Sequence, residues 1–244
     1  MAKRRSNDQA AQLREDVACA ARAFAALGFV HAFGHVSVRL AATLLITPTR
    51  PPLPSQRAAD ILETDFAGKV IAGDADARPI EVFLHIGVYQ ARPDVGAICR
   101  THAQAASLWR GGAIPPIQHG FGGIAADIAT YGGVDLIHNL SLGAAAAAAL
   151  GRADGLVLRG NGVLTVGGSL GEAAARMWSL EERCAVALGE GAGGTAFGAD
   201  ELAARQRWYE AEQRRVWLWL KHLGRAASPD GATARRLHRR RRGR

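Results

Sequence analysis

Four histidines stand where side-chain chemistry is easiest to place: His35, His85, His102 and His119 each lie beside a glycine turn, a strand end or a charged residue. Imidazole near neutral pH can serve as base, hydrogen-bond partner or metal ligand. Glu81 and His85 are four residues apart in a segment of helical spacing, which puts both on one face; taken alone, the pair reads as a surface contact. Thr101-His102 follows an apolar run over 95–99 that ends at Arg100, and the C-terminal ends of strands are where α/β folds gather ligands. Asn161 lies between Gly160 and Gly162, where the plain reading is a turn residue. His138 and His222 read as helix-end residues, and His238 falls in a basic tail. No single spacing specifies a reaction.

The elements that must carry these residues follow from periodicity. Leu13, Val17, Ala20, Phe24 and Leu27 recur at three- and four-residue steps, which predicts an amphipathic helix over 9–27 closed by Gly28. Short β-like runs occupy 36–40, 44–47, 69–72, 95–99, 155–158 and 163–166. Helical spacing covers 80–89, 142–150, 170–188 and 201–223, the second resting on an alanine run. The proline-rich segment 50–54 reads as a loop, 111–133 as glycine-rich and irregular, and the glycine cluster 189–194 as a linker, because no strand precedes it as a phosphate loop requires. The expected organisation is a basic, irregular N-terminus over 1–8, one α/β domain over 9–190, a C-terminal helix over 199–224 and an irregular arginine-rich tail over 225–244.

Composition narrows the function classes. With 48% hydrophobic and 21% charged residues in 244, the chain has the makings of a sizeable core and is not globally disordered. Three widely spaced cysteines exclude a disulfide framework and a cysteine zinc knuckle. No apolar stretch reaches the roughly 20 residues of a membrane span, and the polar start lacks a signal-peptide core, so a cytoplasmic location and no membrane partner are expected. The net charge of +8 suggests nucleic acid until its distribution is read: Lys3, Arg4, Arg5 and the arginines at 235, 236, 239, 240, 241, 242 and 244 exceed the whole excess. Without them the chain is slightly acidic, with no basic stripe interleaved with aromatics, so a nucleic-acid partner is not expected.

Taken in order, several motifs give the chain a likeness that no single motif carries. They are Gly34-His35-Val36-Ser37-Val38-Arg39, Leu45-Ile46-Thr47-Pro48-Thr49, Asp60-Ile61, and Asp65-Phe66-Ala67-Gly68-Lys69-Val70. Glu81, His85 and Tyr89 follow, then Arg92-Pro93-Asp94-Val95 leading to Thr101-His102, and Leu158-Arg159-Gly160-Asn161-Gly162-Val163 before the long helix after Gly171. From about Leu13 to Leu188 the chain resembles the class II aldolase/adducin family. The resemblance implies an α/β fold with a nine-stranded mixed sheet flanked by helices, and a homo-oligomer, in most members a tetramer with active sites between subunits. It also implies a divalent metal held on three histidines, a glutamate as acid/base, and C–C bond cleavage through a stabilised carbanion.

By motif matching the glutamate is Glu81 and one metal histidine is His102, but the other two ligand positions hold Arg100 and Asn161. A guanidinium has no lone pair for a metal and stays protonated, while an amide oxygen is a poor substitute for imidazole. No resident cofactor is therefore expected; the alternative is a weakly bound zinc, manganese or iron ion on His102 and Glu81. The family's phosphate-binding pattern is also altered, with Arg50 and Pro79-Ile80 in its places. His35 stands where sugar-phosphate enzymes carry asparagine, so the Ala32-Phe33-Gly34-His35 segment resembles the branch of aromatic-acid decarboxylases, in which a histidine such as His119 falls near the aldolases' proton-donating tyrosine.

The resulting expectation is a lyase, decarboxylase-like or retro-aldol-like, acting on a small carboxylated, non-phosphorylated substrate. Arg100 takes over the metal's positive charge, and Glu81, His102 and His119 handle protons. Arg50, His35, Ser37, Thr49 and Asn161 are the candidate substrate contacts. The alternatives are a non-lyase acid/base enzyme (isomerase, dehydratase or cyclase) and a catalytically silent, adducin-like interaction domain.

Overall fold

The computed structural model describes residues 2–109, 128–189 and 197–229. Its strands are β1 (His35–Arg39), β2 (Thr43–Ile46), β3 (Leu62–Asp65), β4 (Val70–Ala72), β5 (Ala97–Thr101), β6 (Ile128–Tyr131), β7 (Gly155–Leu158) and β8 (Val163–Gly167). They form one sheet in the order β4-β3-β2-β1-β5-β8-β7-β6, antiparallel except between β6 and β7. The helices are α1 (Ala2–Ala26), α2 (Val82–Ala91), α3 (Gln104–Leu108), α4 (Leu140–Leu150), α5 (Leu170–Gly189), α6 (Ala199–Gln206) and α7 (Tyr209–Ala226). Where the resemblance implied nine strands, eight are found among the described residues.

Side chains alternate across a strand, so the sheet has two faces and two cores. Val36 and Val38 of β1, Ala97 and Cys99 of β5 and Val163 of β8 join α1 and α5 in one core. Ile98 of β5, Leu164 and Val166 of β8 and Leu156 and Leu158 of β7 join α2 and α4 in the other. The same alternation sends His35 and Ser37 of β1 and Arg100 of β5 to the α2 face, polar residues on a face that is otherwise apolar. Antiparallel pairing sets His35 opposite Arg100. Two central neighbouring strands thus deliver two of the chemistry-bearing residues to one place.

Glycine fixes how closely α2 approaches its neighbour. A Cβ on Gly87 of α2 or Gly143 of α4 would run into the partner helix's backbone, at Gly143 and at the Phe83 carbonyl respectively. Only a side chain of one hydrogen allows that approach. On the opposite side of the sheet the buried Arg22 guanidinium donates to Gly224 O at 2.9 Å and Gln56 O at 2.6 Å, tying α7 to α1.

Four expectations change here. The stretch 111–133, expected to be irregular, contains β6, which pairs in parallel with β7. The helix expected from residue 9 begins at Ala2, since nothing in the preceding residues breaks it, so the basic N-terminus is helical backbone. The single C-terminal helix is two, α6 and α7, separated at Arg207-Trp208 without a glycine or proline to mark the break. It extends past residue 224 to Ala226, while residues 230–244 of the expected tail lie outside the described residues. No described helix is long and apolar enough to cross a membrane.

Candidate active site

Helix α2 opens on the α2-facing side of β1 and β5, with Glu81 at its N-cap position. Its carboxylate does not cap the helix but turns to the sheet. Arg100 Nη2 meets Glu81 Oε2 at 3.1 Å, and the two side chains are 2% and 7% exposed. Asn161 closes the triangle: its Nδ2 donates to Glu81 Oε1 at 2.6 Å, while its backbone oxygen, at 3.0 Å, and its Oδ1 both accept from Arg100 Nη2. The turn that carries Asn161 depends on Gly162, whose φ is +77° and whose missing Cβ would overlap the Thr101 carbonyl. That contact presses the β7–β8 turn against the end of β5, where Arg100 and His102 reside.

The three residues floor a cavity of about 420 Å³. His35, His102 and Thr49 add polar walls, and Phe33, Ile80 and Leu136 form an apolar mouth. These three are 70%, 59% and 46% exposed, so the mouth presents bare apolar surface to whatever enters. Phe33 meets the His102 ring edge-on at 6.0 Å between centroids. A buried cation under an apolar rim suits a flat, largely apolar molecule bearing an anionic group.

The guanidinium shapes the titration of its neighbours. Burial, reinforced by the Arg100 charge, holds His35 well below the usual imidazole range and His102 down at about 4. Burial and Arg100 likewise bring His85 to about 3. All three are therefore neutral rings near pH 7. Burial lowers Arg100 from its ordinary value, and the Glu81 carboxylate opposes that shift. The unfolded chain binds protons on these histidines below about pH 6.5, whereas the folded protein does not until pH 4 or lower. Stability should consequently fall as pH drops from about 6.5 toward 4. Urea unfolding midpoints flat across that window would contradict the buried, neutral placement of the rings.

Most of the residues singled out in the sequence meet here. Glu81, Arg100, His102, His35, Thr49 and Asn161 line one cavity. Arg50 does not: its 60%-exposed guanidinium pairs with Asp74 at 3.0 Å, an attraction across a loop that spacing alone does not show. Ser37 lies beneath the cavity, bonded to His85 and Tyr89 at 2.7 Å each. His119 lies outside the described residues. The surface-pair reading of Glu81 and His85 is overturned, because both are buried, His85 completely, against β1. Sequence reasoning missed the apolar mouth and this second polar layer, although the polar His35 and Ser37 alternating with Val36 and Val38 already hinted at the layer.

The chemistry of the donor set speaks to the metal. At the positions the resemblance assigns to its three imidazoles, Arg100 offers only N–H donors, and the Asn161 amide is engaged by both Arg100 and Glu81. Among the described residues no group of three His, Cys, Asp or Glu side chains is arranged to hold a metal ion. His102 and Glu81 remain as donors. These residues do not fit a divalent ion held on three imidazoles.

Fold and site together define a class II aldolase-type domain. The chain belongs to the class II aldolase and adducin N-terminal domain family, which it matches over residues 15–188. It is 35% identical over 210 residues to the 3,4-dihydroxyphthalate decarboxylase of Terrabacter sp. (strain DBF63), covering 78% of this chain and 87% of that protein. The enzyme of the same name from Rhodococcus jostii (strain RHA1) is 30% identical over 203 residues, covering 76% and 83%. Among solved structures, L-fuculose 1-phosphate aldolase from Glaciozyma antarctica PI12 superposes with a TM-score of 0.71 at 25% identity, covering 88% of this chain and 90% of that one. An aldolase II superfamily protein from Pseudomonas syringae shares the fold, with a TM-score of 0.76 at 22% identity over 89% and 94% of the two chains.

Proposed function

We propose that the protein is a decarboxylase acting on a small aromatic acid that carries a ring hydroxyl, and that it does so without a resident metal. The observation that carries this reading is the buried Arg100 guanidinium at the floor of an apolar-mouthed cavity, bound on one nitrogen by Glu81 and Asn161. A guanidinium has five N–H donors, and with Nη2 taken the donors on Arg100 Nη1 and Nε remain for an anionic group of the substrate. Three of the relatives carry the name 3,4-dihydroxyphthalate decarboxylase, and those names support the same class.

The chemistry needs a proton moved and a charge held. Glu81 takes the proton of the ring hydroxyl, pushing electron density into the ring, and returns it to the carbon that bears the carboxylate. The C–C bond then breaks, its electron pair restores the aromatic ring, and carbon dioxide leaves. Arg100 steadies the negative charge throughout from its buried position at the floor. We place the working enzyme in the cytoplasm, where its three buried, unpaired cysteines suit a reducing environment. We also propose a homotetramer in which a neighbouring subunit covers the apolar mouth formed by Phe33, Ile80 and Leu136.

Incubation with 3,4-dihydroxyphthalate, with carbon dioxide release as the readout, tests the reaction; failure with it and with related hydroxylated aromatic acids would refute it. Elemental analysis of the purified protein should find well under one equivalent of zinc, manganese or iron. EDTA should leave turnover and melting temperature unchanged, because a ligand that is not bound cannot stabilise the fold by mass action. A stoichiometric metal would return the assignment to metal-assisted chemistry.

A further inference from the structure

Arg100 and Glu81 do not close the pair that such groups ordinarily make. A guanidinium beside a carboxylate favours a fork, two parallel N–H···O bonds to the two oxygens. The chain has one elsewhere: Arg92 donates from Nε to Asp94 Oδ1 at 2.9 Å and from Nη2 to Asp94 Oδ2 at 2.7 Å. Arg100 Nη2 comes within 3.1 Å of Glu81 Oε2, yet among the described residues its hydrogen bonds go to Asn161 and none aligns on Glu81. Arg100 Nε is buried without a hydrogen-bond partner among the described residues, although a carboxylate meets the same guanidinium. A buried N–H left unpaired is costly, so something must hold the carboxylate off.

Asn161 is what holds it. A guanidinium only donates and an ionised carboxylate only accepts, so an amide between them has one orientation. The structure shows that orientation: Oδ1 and the backbone oxygen of Asn161 accept from Arg100 Nη2, and Nδ2 donates to Glu81 Oε1 at 2.6 Å. The amide thereby occupies the nitrogen that would supply one arm of the fork and an oxygen that would receive the other. The β7–β8 turn keeps it there, with Asn161 N donating to Leu158 O at 2.9 Å and Gly162 close against the Thr101 carbonyl.

We infer that Asn161 is a wedge that stops Arg100 and Glu81 from closing on each other, and so reserves the guanidinium for a carboxylate entering the cavity. Asn161 is a positioning residue; Arg100 makes the contact. The inference rests on the decarboxylase reading for the identity of the acid, but the open pair stands on the three side chains alone.

A crystal structure of the ligand-free Asn161→Ala protein reads the wedge directly. Arg100 and Glu81 should close a fork like that of Arg92 and Asp94. A pair still open in that variant overturns the inference, whatever the reaction proves to be. Binding of phthalate, followed by titration calorimetry, supplies the second arm. Asn161→Ala should weaken it by about ten- to a hundredfold, the worth of a hydrogen bond to a charged group, because the acid must now displace Glu81. Adding Glu81→Gln should restore most of that loss, since a neutral amide cannot hold the guanidinium in a charged fork. Equal binding by wild type and Asn161→Ala, or a loss that Glu81→Gln leaves unrepaired, would mean a merely structural role and would refute the reservation. If Asn161→Ala fails to fold, Asn161→Ser, which suits a turn but is too short to span both partners, decides the question by the same comparisons. Absence of carbon dioxide release from any hydroxylated aromatic acid, with the fork and the binding pattern as expected, would refute the decarboxylase and leave the wedge standing.

Discussion

Arg100→Met should lower the melting temperature by about 10 °C and abolish activity. The substitution keeps the side chain's bulk but leaves the Glu81 carboxylate, 6% exposed, with Asn161 as its one remaining recorded partner among the described residues. Stranding one member of a buried ion pair costs about 3–5 kcal/mol, and in a domain of this size each kcal/mol moves the midpoint by about 2–4 °C. Removing both charges is a different experiment. Arg100→Met combined with Glu81→Met should recover most of the lost stability, since a well-packed apolar pair replaces a buried ionic one at little net cost. It should remain inactive. Calorimetry on the two variants separates the roles: a single variant that melts within 2 °C of wild type would show that the pair is not buried and charged as described.

A second large effect is expected at a residue with no functional group at all. Gly162→Ala asks an L side chain to adopt a φ of +77° and to overlap the Thr101 carbonyl, with His102 Nδ1 at 3.1 Å. Left-handed backbone costs about 1–2 kcal/mol and forced overpacking typically adds about as much again. Relief must come from lifting the turn away from β5, which carries Asn161 off Glu81 and Arg100. Displacement by about 1 Å in a catalytic array can cost a hundredfold in rate, so kcat/KM should fall by about that factor. Gly160→Ala is the control. Its φ is +72°, but a Cβ there would meet nothing within 4 Å. It should cost only the backbone strain and leave turnover nearly intact. Equal kinetic losses in the two variants would refute the close-contact account.

How much of this the chain declares in advance depends on the range of the forces involved. Alternation along β1 and β5, the apolar spacing of α5 and the run 155–158 are local signals, and each element appears where that signal lies. β3 (Leu62–Asp65) escapes such reading because it is four residues long and its outward Glu63 finds its partners, Arg14 and the Thr43 hydroxyl, far along the chain. The five residues of α3 are too few to show a helical period. Within the site, ordered motifs sufficed to bring Glu81, Arg100, His102 and Asn161 into one cavity. Arg50 was misplaced because a surface guanidinium takes the nearest carboxylate the fold supplies, here Asp74. The apolar mouth was illegible for a related reason: Phe33, Ile80 and Leu136 belong to separate connections, and only the closed fold makes them neighbours.

The distribution of the floor along the chain also has a temporal side. His35, Glu81, Arg100 and Asn161 come from β1, the start of α2, β5 and the β7–β8 turn, so every contact among them closes a long loop. Loop closure must be met before such contacts give anything back, which delays them relative to local structure. As the polypeptide leaves the ribosome, Glu81 and Arg100 emerge well before the amide that joins them, and the pair stays hydrated until the last hairpin docks. Burial of the ion pair is then expected on the downhill side of the folding barrier, with φ-values near zero at Glu81 and Arg100 as the check. Improvements to this floor would lengthen the lifetime of the folded protein without making it fold any faster.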